Sequence, residues 1–325
     1  MKVAFFGAST VQQINGYADI FAKNYTEYKC KKFGYGGMHL NNAGIVFIDK
    51  VIKWKPDICF VDWFCTDYIN QDGKVELYVK ALLEKFSRIN CRPIFLFLPH
   101  NDQEEDRKLF YQSTKKLVSD LGLEYICIDQ LLSKENISDI VRDRIHTNQL
   151  GAEKYAFILS DYLKIHKEFN IISFGKNCFS NIKSVRVNKV FDKTMSFDGN
   201  CFIVGMTQLV GNFTGLLDKV TNETSEEILL WDRWCYYTRN HFALSFEVLG
   251  KTDLFVTNKK FDTSTCKSNL DFTLFKKKLV IKKIYYVGDS LFVNKKGGSS
   301  VLFWIKILRC KLGAIKYRIS QILRK

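Results

Sequence analysis

Three residues of this 325-residue chain carry side chains that can do covalent chemistry together. Ser9 ends an apolar run in KVAFFGAST (2–10), and Asp143 and His146 share the segment Asp143-Arg144-Ile145-His146. Acyl transfer requires a hydroxyl to attack, an imidazole to take its proton and a carboxylate to orient the imidazole. It also requires backbone N–H groups where the oxyanion forms. Each residue has a plain structural reading as well. Ser9 suits the N-cap of a helix beginning near Val11, and Asp143 and His146 suit a solvated turn before a last helix capped by Asn148.

The elements that would bring these groups together show as alternating periodicities. Strand-like runs KVAFFG, YKCKKFG, DICFVDW, RPIFLFL and EYICI alternate with amphipathic helical stretches, the first reaching Asn24, the second Trp54 and the last starting near Gln149. Five such β-α units with short connections predict a doubly wound parallel sheet covered by helices on both faces, a three-layer α/β/α domain. Ligands of an open parallel sheet bind beyond the carboxyl ends of its strands. Those ends present Gly7-Ala8-Ser9-Thr10, Gly34-Tyr35-Gly36-Gly37, Phe64-Cys65-Thr66-Asp67 and His100-Asn101-Asp102, with Asp143 and His146 after the fifth strand. His100 and Asn101 are expected to line a substrate pocket, a solvated loop being the alternative for His100. Cys65 reads as a small buried hydrophobe.

The stretches GAST, GYGG and DRIHTN, in this order and at these spacings, resemble the SGNH (GDSL-type) esterases over roughly residues 1–165. The resemblance implies the flavodoxin-like SGNH fold with a five-stranded parallel sheet. It also implies Ser9 as nucleophile, His146 as general base, Asp143 as the base's partner, and the backbone N–H groups of Ser9 and Gly37 as oxyanion donors. Two positions depart from the pattern. The aspartate usual between Gly and Ser is Ala8, which is tolerable because the backbone presents the serine. The asparagine whose amide completes the family's oxyanion hole is replaced, by register with the end of strand 3, by Thr66, whose hydroxyl reaches less far. One oxyanion donor is worth ~3 kcal/mol, so the departure is compatible with a slow enzyme or with a catalytically silent descendant.

After about Asn170 the pattern changes to short runs rich in Val, Ile, Phe, Thr and Tyr: SVRVNKVF, NCFIVGM, HFALSFEVL, DLFVTN, LDFTLF and LVIKKIYYV. These predict a β-rich, sandwich-like antiparallel domain over 171–293. Its aromatic cluster Trp231, Trp234, Tyr236 and Tyr237 suits either packing or a platform for sugars. The stretch NKKGGSS (294–300) reads as a linker to a terminal helix, giving three regions, 1–170, 171–293 and 294–325.

The net charge of +15 is concentrated toward the C-terminus, where residues 301–325 hold seven Lys and Arg and no Asp or Glu. In that segment Val301, Ile305, Leu308, Leu312, Ile315, Ile319 and Ile322 form one apolar helical stripe. Seven cations exclude a transmembrane span, which leaves an anionic membrane surface or a protein surface as its partner. The lysines are dispersed and no recognition motif accompanies them, so nucleic acid is not expected. Ten scattered cysteines show no C-x-x-C pair and no metal-ligand spacing. With only five apolar or small residues between Lys2 and the first turn, a cytoplasmic protein is expected. The function this combination predicts is a serine esterase or O-acyltransferase of carbohydrate. Its setting would be surface-polysaccharide assembly at the inner face of a membrane. No metal or cofactor is expected, apart from an acyl donor such as acetyl-CoA for the transferase. A non-catalytic carbohydrate-binding protein on the same fold is the alternative.

Overall fold

The computed structural model describes residues 1–67, 74–101, 105–166, 182–211, 213–222, 224–230, 238–259 and 277–295, and residues 299, 301, 302, 305, 308, 312 and 316. The chain divides into two compact units, Met1–Ser180 and Asn181–Lys325.

In the first unit, β1 (Lys2–Gly7), β2 (Lys29–Gly34), β3 (Ile58–Asp62), β4 (Arg92–Phe97) and β5 (Glu124–Cys127) form a parallel sheet in the order β2-β1-β3-β4-β5. β1, β3 and β4 are buried almost throughout, which is why they read as continuous apolar runs. β2 lies at the sheet edge and alternates exposed lysines with covered residues.

Successive residues of a strand point to opposite faces, and Phe5 and Phe6 of β1 show what covers each. The Phe5 ring meets Tyr17 and Phe21 of α2 (Tyr17–Asn24). Phe6 meets Trp63 and Tyr35, and Tyr35 stacks on Phe47 of α3 (Ile45–Trp54). Helices therefore cover both faces, giving the three-layer α/β/α arrangement. The Tyr17 ring also lies against Tyr155 of α8 (Gln149–Ile165), 6.0 Å between centroids, so α2 and α8 share a face.

The first helix is not continuous to Asn24. It breaks into α1 (Ser9–Gln12) and α2, because Asn15 takes the left-handed conformation (φ 56°) and Gly16 starts the second helix. The Asp19 carboxylate accepts the Asn15 N–H at 2.9 Å and holds this turn.

The second unit is antiparallel. β6 (Lys183–Phe191), β7 (Thr194–Val210), β8 (Leu216–Val220), β9 (Ser225–Leu229), β11 (Phe246–Val256) and β12 (Leu279–Asn294) run in the order β6-β12-β7-β11-β8-β9, and β10 (Arg239–Ala243) pairs with β7. The strands are longer than their apolar runs. The HFALSFEVL stretch divides between β10 and β11, and DLFVTN continues β11. β12 carries register shifts that let it follow β7 past lysines and a glycine. Phe191, Met195, Phe197, Ile203, Val248 and Ile284 lie in one buried core. LDFTLF and the aromatic cluster 231–237 lie outside the described residues.

Candidate active site

Ser9 is the first residue of α1, with Ala8 before it and no side-chain hydrogen bond capping the helix. Its hydroxyl is therefore not a cap, and its N–H belongs to the first turn, where intrahelical acceptors are lacking.

What fixes this turn is Asp62, the wholly buried last residue of β3. Its backbone carbonyl accepts the Ala8 N–H at 3.1 Å, and its Oδ2 accepts the Thr10 hydroxyl at 2.6 Å. Both neighbours of Ser9 thus hang on one residue. The Tyr17 hydroxyl donates to the same Oδ2 at 2.8 Å and ties α2 to the strand end. Burial pushes the Asp62 carboxyl above the ordinary carboxylate range. The hydrogen bonds from Thr10 and Tyr17, the Cys65 thiol and the field of His146 oppose that shift.

Two glutamines at the end of α1 join the nucleophile turn to its neighbours. Gln12 Oε1 accepts the Gly36 N–H at 2.5 Å. A Cβ on Gly36 would lie 2.3 Å from that oxygen, so glycine allows the close approach. Gln13 Nε2 donates to the Thr147 carbonyl at 2.7 Å, reaching the loop that carries His146.

In that loop His146 Nδ1 lies 2.9 Å from Asp143 Oδ2 and 3.0 Å from Oδ1. Asp143 Oδ1 also accepts the backbone N–H groups of His146 (2.9 Å) and Ile145 (3.0 Å). Partial burial pushes Asp143 up, but these two bonds and the adjacent imidazole outweigh it and hold the carboxyl below its usual range. An ionised Asp143 accepts a hydrogen bond from Nδ1–H, which leaves Nε2 with the basic lone pair. The Val141–Thr147 bridge, a bond from Arg142 N to the His146 carbonyl, and the Asn148 side chain capping α8 close the loop. Asn148 is the cap expected, and Asp143 and His146 pair with each other within the loop.

The remaining expected residues are placed as follows. Gly37 has φ 69°, a left-handed conformation that favours glycine, and it lies exposed in the turn after β2. Thr66 falls in α4 (Phe64–Asp67), just past β3, and its side chain lies outside the described residues. His100 is buried and meets the Tyr111 ring edge-on, so it is not a solvated loop residue. The Asn101 N–H donates to the Arg144 carbonyl at 2.9 Å, which joins the end of β4 to the Asp143 loop. Sequence reasoning missed Asp62, Gln12 and Gln13. A carboxylate ending the otherwise apolar ICFVD was the available signal for the first.

No protein-family model and no curated protein matches the chain. Among solved structures, a two-domain esterase active on acetylated mannans, co-crystallized with mannopentaose, superposes with a TM-score of 0.63 at 11% identity, over 89% of this chain and 91% of that one. Another structure of a two-domain esterase active on acetylated mannans gives 0.62 at 10% identity, over 89% and 92%. An acetyl xylan esterase, 19% identical, covers 50% of this chain and 100% of its own, with a TM-score of 0.45. At these identities the likeness is one of fold. The chain has the fold of the SGNH-type hydrolases, an α/β/α unit, together with an antiparallel β unit.

Proposed function

We propose that this chain is a serine esterase that removes O-acyl groups, acetyl in the simplest case, from carbohydrate. The observation that carries the reading is the His146–Asp143 pair, with Nδ1 engaged by the carboxylate, on a loop that Gln13 ties to the turn presenting Ser9. Ser9 Oγ attacks the ester carbonyl as His146 Nε2 takes its proton. The imidazolium then protonates the departing sugar oxygen, leaving an acyl-Ser9, and water attacks this with His146 again as base. The donors assigned to the developing oxyanion are the N–H groups of Ser9 and Gly37 and the Thr66 hydroxyl. His100 and Asn101, just past the end of β4, are the residues assigned to contact the acyl or sugar group. The fold shared with an esterase active on acetylated mannans supports carbohydrate as the substrate class, by analogy.

A sugar hydroxyl in place of water would make the same groups an O-acyltransferase drawing on a donor such as acetyl-CoA. The cytoplasmic side of a polysaccharide-assembling membrane is the setting that fits that reaction. Ser9→Ala should abolish fluorophosphonate labelling and lower hydrolysis of a short activated ester at least about a thousandfold, with an unchanged circular dichroism spectrum. Acetate release from acetylated mannan and xylan oligosaccharides, measured beside transfer from acetyl-CoA to the deacetylated sugars, separates hydrolysis from transfer. Labelling retained at another residue overturns the nucleophile assignment, and a protein that binds the sugars but takes no label is the non-catalytic alternative.

A further inference from the structure

The chemistry above makes no use of the C-terminal stripe. Residue 299 anchors its base: Val190 N donates to the Ser299 carbonyl at 3.3 Å and Ser299 N donates back at 3.0 Å. The Ser299 hydroxyl then accepts the Leu302 N–H at 3.2 Å, the geometry of a helix N-cap. Beyond it Val301, Leu302, Ile305, Leu308, Leu312 and Lys316 are helical, and all six are exposed, Val301 at 72% and Leu308 at 59%. The described apolar positions therefore meet no core of this chain.

We propose that the segment 301–325, helical at its described residues, lies on an anionic lipid surface. Charge decides the occupant. The segment holds seven Lys and Arg and no Asp or Glu. At ~100° per residue the apolar positions 301, 305, 308, 312, 315, 319 and 322 share one stripe, and the cations fall along its two flanks. A groove on another protein needs apolar complementarity and gains little from uniform cationic flanks. A bilayer with anionic headgroups takes both features at once, with the stripe among the acyl chains and the flanks among the phosphates. The helix lies on the surface rather than through it, because seven cations forbid a span. Among the described residues no helix is long and apolar enough to cross. The proposal is independent of the esterase reading.

The test is co-sedimentation of the full chain with vesicles of phosphatidylcholine alone and of phosphatidylcholine mixed in equal parts with phosphatidylglycerol. The expected result is sedimentation with the mixed vesicles only, weakening about tenfold or more as salt rises, because screening shortens the reach of the cations. Leu308→Glu combined with Leu312→Glu should lower that binding at least about tenfold while the melting temperature stays the same. Absence of binding to the mixed vesicles, or equal binding to both at every salt concentration, overturns the proposal. So does a lowered melting temperature in the double variant, since that places the stripe against protein. Hydrolysis of a soluble activated ester, the same in both proteins, keeps this outcome separate from the fate of the esterase assignment.

Discussion

Thr10 donates its hydroxyl proton to Asp62 across 52 residues of sequence, at 2.6 Å, inside the protein. With the Ala8 N–H bound to the Asp62 carbonyl, this bond clamps both neighbours of Ser9, which is directed by its backbone rather than by its own side chain. Thr10→Val keeps the volume and removes the donor, so the Asp62 carboxyl loses one of its hydrogen-bond partners. The expected cost is about 1–3 kcal/mol of stability, the penalty for a buried polar group losing a partner. Urea denaturation of the two proteins measures it.

The raised carboxyl of Asp62 gives a stability signature with a definite sign. Between the ordinary carboxylate range and its raised value, the folded protein binds a proton that the unfolded chain has released, so this contribution to stability falls as pH rises through the window. The groups that feel or shape this carboxyl are Thr10, Tyr17, Cys65 and His146, together with Tyr111 and Tyr155. Asp62→Asn does not titrate. The stability advantage of the wild-type protein over Asp62→Asn should therefore shrink as pH is raised above the ordinary aspartate range of about 4. A constant difference would mean that Asp62 titrates alike in both states.

The first unit was readable because buried parallel strands have no polar face to interrupt them: VAFF, ICFV and IFLFL announce themselves. The antiparallel unit was harder. β7 runs on through Gly199, which falls between the apolar runs in the sequence, and β12 shifts register against β7 at several points. The site shows the same contrast. Asp143 and His146 are three residues apart, so their pairing is local and visible in the sequence. Asp62 meets Thr10 and Tyr17 only when α1, α2 and β3 are assembled, and in the sequence it looks like any carboxylate at a strand end.

By the register of the resemblance, Thr66 stands where an SGNH-type oxyanion hole has an amide. If its hydroxyl supplies that bond, Thr66→Val lowers kcat at least about tenfold with KM little changed, because the bond is made chiefly in the transition state. Thr66→Asn restores the longer donor and should hold or raise kcat. Steady-state kinetics on an activated ester test both, and indifference to both substitutions would assign the donor elsewhere.

Gln13 is the direct side-chain link between the segment that presents Ser9 and the loop that carries His146, through its 2.7 Å bond to the Thr147 carbonyl. Lys32 secures the residue from the other side by donating to the Gln13 carbonyl at 2.9 Å, so a change confined to the Gln13 side chain leaves the backbone anchored. Gln13→Leu removes the donor and keeps most of the bulk. Stability should fall by about 1 kcal/mol for the lost bond. The larger effect belongs to alignment, since displacing a reacting pair by about 1 Å costs on the order of a hundredfold in rate. kcat and the fluorophosphonate labelling rate of Ser9 should therefore fall together, about tenfold to a hundredfold, while KM stays close to wild type. Gln13→Glu should be at least as damaging, because a carboxylate cannot donate to the carbonyl it would face. If labelling keeps its wild-type rate while stability drops as expected, the bond supports the loop and has no part in aligning Ser9 with His146.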